Sequence, residues 1–184
     1  MDVVLCLIAM VPASVIMLIT ALFIKLDDGG PVFFRQERVT RNGKHFDVIK
    51  FRSMIVDAEK YNKPIPAVDQ DPRITKVGRI IRATRIDELP QLFNILKGDM
   101  SIVGPRPERV EHVEKYSREI PEFIYREKVK GGLTGYAQIY GRYNTSAYDK
   151  LRLDLMYIED YSLVLDIKMI FRTIRILFQK DSTE

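Results

Sequence analysis

Apolar residues follow three different rhythms along this chain. From Val3 to Ile24 there are 22 residues without a formal charge. As a helix rising about 1.5 Å per residue, that run covers the roughly 30 Å core of a bilayer. Pro12 stands in its middle with Ser14 close by. Proline removes a backbone N–H and obstructs the carbonyl one turn back, so a kink is expected there. A kink suits either a bent span or a re-entrant hairpin, and hydropathy does not separate the two. A cleaved signal peptide fits poorly, because no basic segment precedes the run and it is longer than a usual signal core.

The second rhythm has period two. LDDGGP supplies a turn over residues 27–31, and PVFFRQERV then reads as a strand. Thr40, Arg41, Asn42 and Gly43 carry an Asn-Gly hairpin signal, after which KHFDVIKFRSM returns by alternation. Phe46, Val48, Lys50 and Arg52 fall on one face of that return strand. Lys50 and Arg52 then either point together at one anion or stand as two solvated cations.

The third rhythm is helical. A short helix is expected over 54–61, followed by the Pro-rich NKPIPAVDQDP loop; ITKVGRIIRAT is amphipathic and basic. A further helix is expected from Ile86 to Leu96, ended by Gly98. Pro90 is best tolerated in a first turn, which sets Asp87 and Glu88 near that helix's N-terminal end, where a phosphate is favoured. If Thr84 is the N-cap instead, Pro90 falls further inside and a bend is needed. At the far end, Leu163, Val164, Ile167, Ile170, Phe171, Ile174, Leu177 and Phe178 recur at helical spacing beside a basic stripe of Lys168, Arg172 and Arg175. This pattern suits a helix lying in a membrane interface or one facing a core.

Charge changes the picture mainly through its placement. The formal charge is +4 and the pI about 9.1, which suits nucleic acid, anionic lipid or a phosphorylated substrate equally. Arg73, Lys76, Arg79, Arg82 and Arg85 lead up to Asp87-Glu88 at intervals of three, and Lys97, Arg106 and Arg109 follow. Two adjacent carboxylates among so many cations point to phosphate chemistry on a membrane-bound substrate; the plain alternative is a helix start paired with Arg82 or Arg85. Pro105 and Pro107 restrict the backbone on either side of Arg106, as suits a preorganised phosphate or carboxylate contact. VKGGLTGYAQIYGRYNTS is rich in Gly and Tyr, as a binding loop is, and contains no P-loop. Asp69-Gln70-Asp71 is a weak match to the metal motif of nucleotide-sugar glycosyltransferases. The single Cys6 excludes an intrachain disulfide, and His45 and His112 are too few and too separated for a zinc motif.

Taken in order, GPVFFRQERV, the KFRSM segment, DPRITKVGRIIR, IDELPQLFNILKGDMSIVGPRPE and LTGYAQI resemble the monotopic phosphoglycosyl transferases, bacterial sugar transferases that begin polysaccharide and glycoconjugate assembly. The resemblance covers nearly the whole chain. It implies an α+β fold, mainly helical with a small β-hairpin, with a re-entrant membrane helix over 1–26 and a cytoplasmic catalytic domain over 27–184 that ends in an interfacial helix. The implied reaction moves a sugar-1-phosphate from a UDP-sugar to polyprenol phosphate and releases UMP, at the cytoplasmic face of the bacterial inner membrane. Asp87 matches the family's nucleophile, which carries a covalent phosphosugar, and Glu88 its partner at a Mg2+ site. Lys50, Arg52, Arg82, Arg85, Pro105, Arg106, Pro107 and Gln138 are the implied substrate-binding positions. The partners implied are the donor, the acceptor and membrane lipid, without nucleic acid; a homodimer is left open. Two departures stand out: the family's helix break is often Ser-Pro where this chain has Pro12-Ala13-Ser14, and Gly131 stands where proline is common, which predicts a looser loop. The chain also begins almost at its membrane segment, as expected of a piece excised from a longer protein with further N-terminal helices.

Overall fold

A computed structural model describes residues 1–56, 58, 71–141 and 145–178. The described chain is mostly helical, with one two-stranded hairpin and one short parallel ladder. It forms two compact units: one takes Val4–Arg35 and Ile49–Phe93, the other Met1–Val3, Gln36–Val48 and Asn94 onward.

The apolar run forms one helix, α1 (Asp2–Asp28), that continues through Pro12. Ser14 donates its hydroxyl to the Val11 carbonyl at 2.8 Å, satisfying an acceptor beside the proline. Cys6, Ala13, Met17, Thr20 and Ile24 are buried along a single narrow stripe. Most of the remaining surface is apolar and exposed, including Val11, Leu18 and Leu26 at more than 70 %. Such an exposed face is abnormal for a water-soluble helix and normal for one in lipid.

The hairpin forms as its alternation predicts, from β1 (Phe33–Val39) and β2 (His45–Phe51). Its turn is a 3-10 turn at Arg41–Gly43, with Asn42 and Gly43 at φ of 60° and 70°, the left-handed values that Asn and Gly accept most readily. Within the first unit Phe33 stacks on Phe51, and Met54 pairs with Ile74 in an antiparallel bridge. Thr75 caps α2 (Lys76–Ala83), its hydroxyl accepting from the Gly78 N–H at 2.9 Å. Half of the helix expected over 54–61, and most of the Pro-rich loop after it, lie outside the described residues, and residues 54–56 form a bridge and turn.

The expected helix from Ile86 to Leu96 is divided. Residues Ile86–Glu88 form a 3-10 turn, and α3 (Gln91–Lys97) begins only after Pro90. Pro90 has no N–H to reach back to Ile86, so the Leu89 N–H closes on that carbonyl instead, at 3.1 Å. Thr84 caps the end of α2 rather than the start of the next helix, and Arg85 follows it in the left-handed conformation at φ 55°.

In the other unit, β3 (Ser101–Val103) and β4 (Gly132–Thr134) run parallel, pairing Ser101 with Gly132 and Val103 with Thr134. Three-residue strands carry too little alternation to be read from sequence. A Cβ on Gly132 would collide with the Gly104 backbone, so glycine is what allows the two segments to meet. Helices α4 (Val110–Glu119), α5 (Tyr136–Tyr140), α6 (Ala147–Glu159) and α7 (Leu163–Phe178) complete the unit. Val103, Tyr157 and Met169 form its core, packed by Ile102, Val129 and Ile170 among others. The fully buried Tyr157 hydroxyl bridges the Asp166 carboxylate at 2.8 Å and the Val103 carbonyl at 3.2 Å. Burial, reinforced by Asp166, pushes that phenol well above its ordinary range.

Helix α7 turns Asp166 and Met169 inward and leaves Leu163, Val164, Ile167, Phe171 and Ile174 exposed. The helix therefore does face the core, through Met169 with Leu165 and Ile170 packed beside it, while a second apolar face stays exposed.

Candidate active site

The acidic pair and the cations expected around it belong to two sets, one in each unit. In the first unit, the 3-10 turn carries Asp87 and Glu88, both half-buried. The Lys50 ammonium reaches Glu88 Oε1 at 2.8 Å, with the two side chains 20 % and 16 % exposed. An ion pair so sheltered is screened less than a surface pair and fixes one carboxylate of the dyad. Arg82 and Arg85 are exposed at the end of α2 and just beyond it.

Arg52 does not join Lys50 on a common target. Strand β2 ends at Phe51, and the buried Arg52 guanidinium forks onto both oxygens of Asp28 while its Nε donates to the Pro31 carbonyl at 2.7 Å. Asp28, read in the sequence only as a turn residue, is thus the partner of an expected substrate cation. Asp71 is likewise committed: Arg73 Nη2 donates to its Oδ2 at 2.6 Å, and the Arg73 backbone N–H to its Oδ1 at 2.9 Å. Asp69, the other half of that acidic motif, lies outside the described residues.

In the second unit, Pro105 and Pro107 are buried and Arg106 is half-buried between them. Four successive carbonyls of this segment accept hydrogen bonds. Gly132 N–H donates to Pro105 at 2.9 Å, Arg126 Nη2 to Arg106 at 2.8 Å, Arg38 Nη1 to Pro107 at 3.1 Å and Val39 N–H to Glu108 at 3.0 Å. Arg126 Nε in turn donates to Asp154 Oδ2 at 2.6 Å, the two side chains being 7 % and 1 % exposed. Burial pushes the Asp154 carboxyl upward against the pull of Arg126. Burial also acts to raise Glu108, but Arg126, Lys150, Arg38 and His112 outweigh it and hold that carboxyl below the ordinary range.

Arg38, Arg126 and Asp154 were not legible as site residues. Arg126 and Asp154 are 28 positions apart, and no periodicity links them. Gly131 also departs from expectation: its N–H donates to the Thr40 hydroxyl at 3.0 Å, its carbonyl accepts from Ser101, and a Cβ there would strike the Pro107 ring. Glycine tightens this loop instead of loosening it. Gln138 has both amide atoms buried without a hydrogen-bond partner among the described residues.

Hard oxygen donors at Asp87 and Glu88 fit magnesium, which takes one or two carboxylates together with substrate phosphates and water. Among the described residues no group of three or more His, Cys, Asp or Glu side chains gathers as a protein-only cage.

The chain carries a long apolar helix, a small hairpin and an acidic pair held by a lysine, and its family is shown directly. The bacterial sugar transferase model matches residues 1–180, and the chain belongs to that family. It is 46 % identical over 178 residues to an Aeromonas hydrophila protein named UDP-N-acetylgalactosamine-undecaprenyl-phosphate N-acetylgalactosaminephosphotransferase, covering 95 % of this chain and 42 % of that one. It is 45 % identical to the UDP-glucose:undecaprenyl-phosphate glucose-1-phosphate transferase of Klebsiella pneumoniae, covering 94 % and 38 %. It is 39 % identical to the undecaprenyl-phosphate galactose phosphotransferase of Salmonella typhimurium, covering 84 % and 35 %. The chain thus spans about two fifths of the length of these curated relatives.

Proposed function

We propose that this chain transfers a sugar-1-phosphate from a UDP-sugar to undecaprenyl phosphate through a covalent intermediate on Asp87. The observation that carries the reading is the half-buried acidic pair on one tight turn with Glu88 held by Lys50, in a chain of this family. Adjacent carboxylates project in different directions and divide two duties, nucleophile and metal ligand. An Asp87 oxygen attacks the phosphorus that bears the sugar, and the bond from that phosphorus to the bridging oxygen breaks. UMP leaves with the electron pair, and an acyl phosphate to the sugar remains. An oxygen of undecaprenyl phosphate then attacks the same phosphorus, releasing Asp87 and forming the diphosphate-linked lipid. Glu88 would hold magnesium, which would supply charge neutralisation as an anionic carboxylate approaches phosphorus. Lys50 orients Glu88, and Arg82 and Arg85 supply positive potential beside the turn. In the other unit, Arg106 is offered as a phosphate contact, and the Gln138 amide is buried without a hydrogen-bond partner among the described residues.

The membrane arrangement belongs to the same reading: α1 enters one leaflet and returns, α7 lies in the interface, and the catalytic residues face the cytoplasm. Support for lipid contact comes from the exposed apolar surface of each of the two helices.

The test is incubation with each of the three donors named for the relatives, UDP-N-acetylgalactosamine, UDP-glucose and UDP-galactose. With donor alone, the peptide containing Asp87 is expected to gain one sugar-phosphate mass; with undecaprenyl phosphate added, UMP accumulates. Asp87→Asn abolishes both while remaining folded. Glu88→Gln slows turnover and raises the magnesium needed for half-maximal rate. UDP as product, or an adduct on another residue, rejects the assignment. A sugar-only transferase using Asp69 and Asp71 would release UDP, and the commitment of Asp71 to Arg73 argues against it.

A further inference from the structure

We propose that Arg126 and Asp154 are positioning residues for Arg106, a buried ion pair whose task is to fix the backbone that presents this arginine. The catalytic part of the proposal rests on the transferase reading; the structural part does not.

The argument starts from the carbonyls. Two prolines restrict rotation about Arg106, since Pro107 drives the residue before it to extended conformations. Rigidity of a dipeptide does not anchor it, however, and the anchoring comes from donors on other elements. The outer carbonyls, of Pro105 and Glu108, are held by backbone N–H groups of β4 and β1. The inner two, of Arg106 and Pro107, have no strand alongside and are held by guanidinium groups of Arg126 and Arg38. A guanidinium is a planar fork, so Asp154 on Nε sets the direction in which Nη2 reaches the Arg106 carbonyl. Stability alone does not account for this choice. A buried ion pair is often no better than an apolar pair of similar volume, because desolvation offsets the attraction. What the apolar pair lacks is a donor at one defined point. The pair is therefore explained by geometry: it holds the Arg106 backbone still, so that the side chain meets a phosphate with less ordering left to do.

The test uses the full chain in detergent micelles and the paired replacement Arg126→Met with Asp154→Leu, which removes both partners and leaves Lys150, Arg38 and His112 to offset Glu108. Amide exchange at Val39 and Gly132, the N–H groups that close the two ends of the same segment, is expected to accelerate at least tenfold. Exchange in α6 and the thermal midpoint stay as in the parent. Unchanged exchange at Val39 and Gly132 overturns the proposal, and so does acceleration spread evenly over the chain, which marks a merely structural role. If the pair does not fold, Arg126→Lys carries the same readouts, since it keeps a charge opposite Asp154 but lacks the forked second arm. The catalytic arm measures UMP release with the three donors and undecaprenyl phosphate. The replacement is expected to lower kcat/KM at least tenfold in the parent and less than twofold in an Arg106→Ala background, because the clamp then has nothing to present. Equal losses in both backgrounds overturn it. A parent that releases no UMP from any of the three donors rejects the transferase reading instead, and the exchange measurement still decides the clamp.

Discussion

Arg85 shows how much of this site depends on a single backbone angle. It is a non-glycine residue at φ 55°, immediately before the turn that carries Asp87 and Glu88. Left-handed geometry costs an ordinary L-residue roughly 1–2 kcal/mol, and the position that ends a helix in this way is usually glycine. The arginine at this position poses the question of whether its charge is used. The substitution Arg85→Gly separates the two effects. It relieves the strain but adds about 0.5–1 kcal/mol of chain entropy lost on folding, so the thermal midpoint is expected to shift by only a few degrees. Loss of the cation beside the acidic turn is expected to raise KM for the UDP-sugar several-fold, measured by UMP release. Arg85→Lys should recover most of that loss while keeping the strain, whereas equal KM values for Arg85→Gly and the parent would show that the charge is idle. Nothing in the sequence pattern reveals the angle, because it arises where α2 stops and Pro90 forbids the next helix from starting.

At the scale of elements, legibility follows the range of the interactions that build each one. The hairpin was readable because alternation and Asn-Gly act locally, and α7 because its spacing is regular over many residues. The helix expected from Ile86 to Leu96 was misdrawn at its first turn, where one missing N–H outweighs periodicity. Lys50 and the acidic dyad were singled out by charge and motif, and Lys50 pairs with Glu88. The pairing of Arg52 with Asp28 was not legible, because Asp28 lies 24 residues away in a turn. The Arg126–Asp154 pair and the parallel β3–β4 ladder were invisible because only the tertiary fold creates them. Helix α1 is where sequence and structure leave a sharp experiment. Single cysteines at the exposed positions Val3 and Leu26, in a Cys6→Ser background, are expected to react with an impermeant maleimide only when the cytoplasmic face is accessible. Pro12→Leu restores the helix hydrogen bond that proline lacks, favouring the continuous helix by about 3 kcal/mol. If that proline sets the topology, a fraction of the variant's Val3 site becomes reactive from the opposite face. Val3 labelling of the parent from that face alone would establish a true span.

On the scale of the whole molecule, each of the two units leaves a helix with a large exposed apolar face. Helix α1 exposes most of its apolar residues, and α7 exposes Leu163, Val164, Ile167, Phe171 and Ile174 while burying Asp166 against Tyr157. The helix buries Met169 as well, and an exposed apolar stripe of this kind is what the proposed interfacial placement calls for. Lys168, Arg172 and Arg175 stand exposed on the same helix, where anionic headgroups attract them. These residues lie outside the chemistry, so changing them tests attachment without touching the acidic turn. Ile167→Glu with Phe171→Glu removes two exposed apolar side chains and adds two charges, and should leave the thermal midpoint in detergent within a few degrees of the parent. Turnover in detergent with dispersed undecaprenyl phosphate is expected to survive, because the reacting groups are unchanged. Turnover in vesicles containing anionic lipid is expected to fall at least fivefold, because the enzyme then loses its alignment with an acceptor whose phosphate sits at the headgroup level. An equal fall in detergent and vesicles would trace the loss to the fold, and no fall in either would leave α1 as sufficient attachment and α7 without an interfacial role.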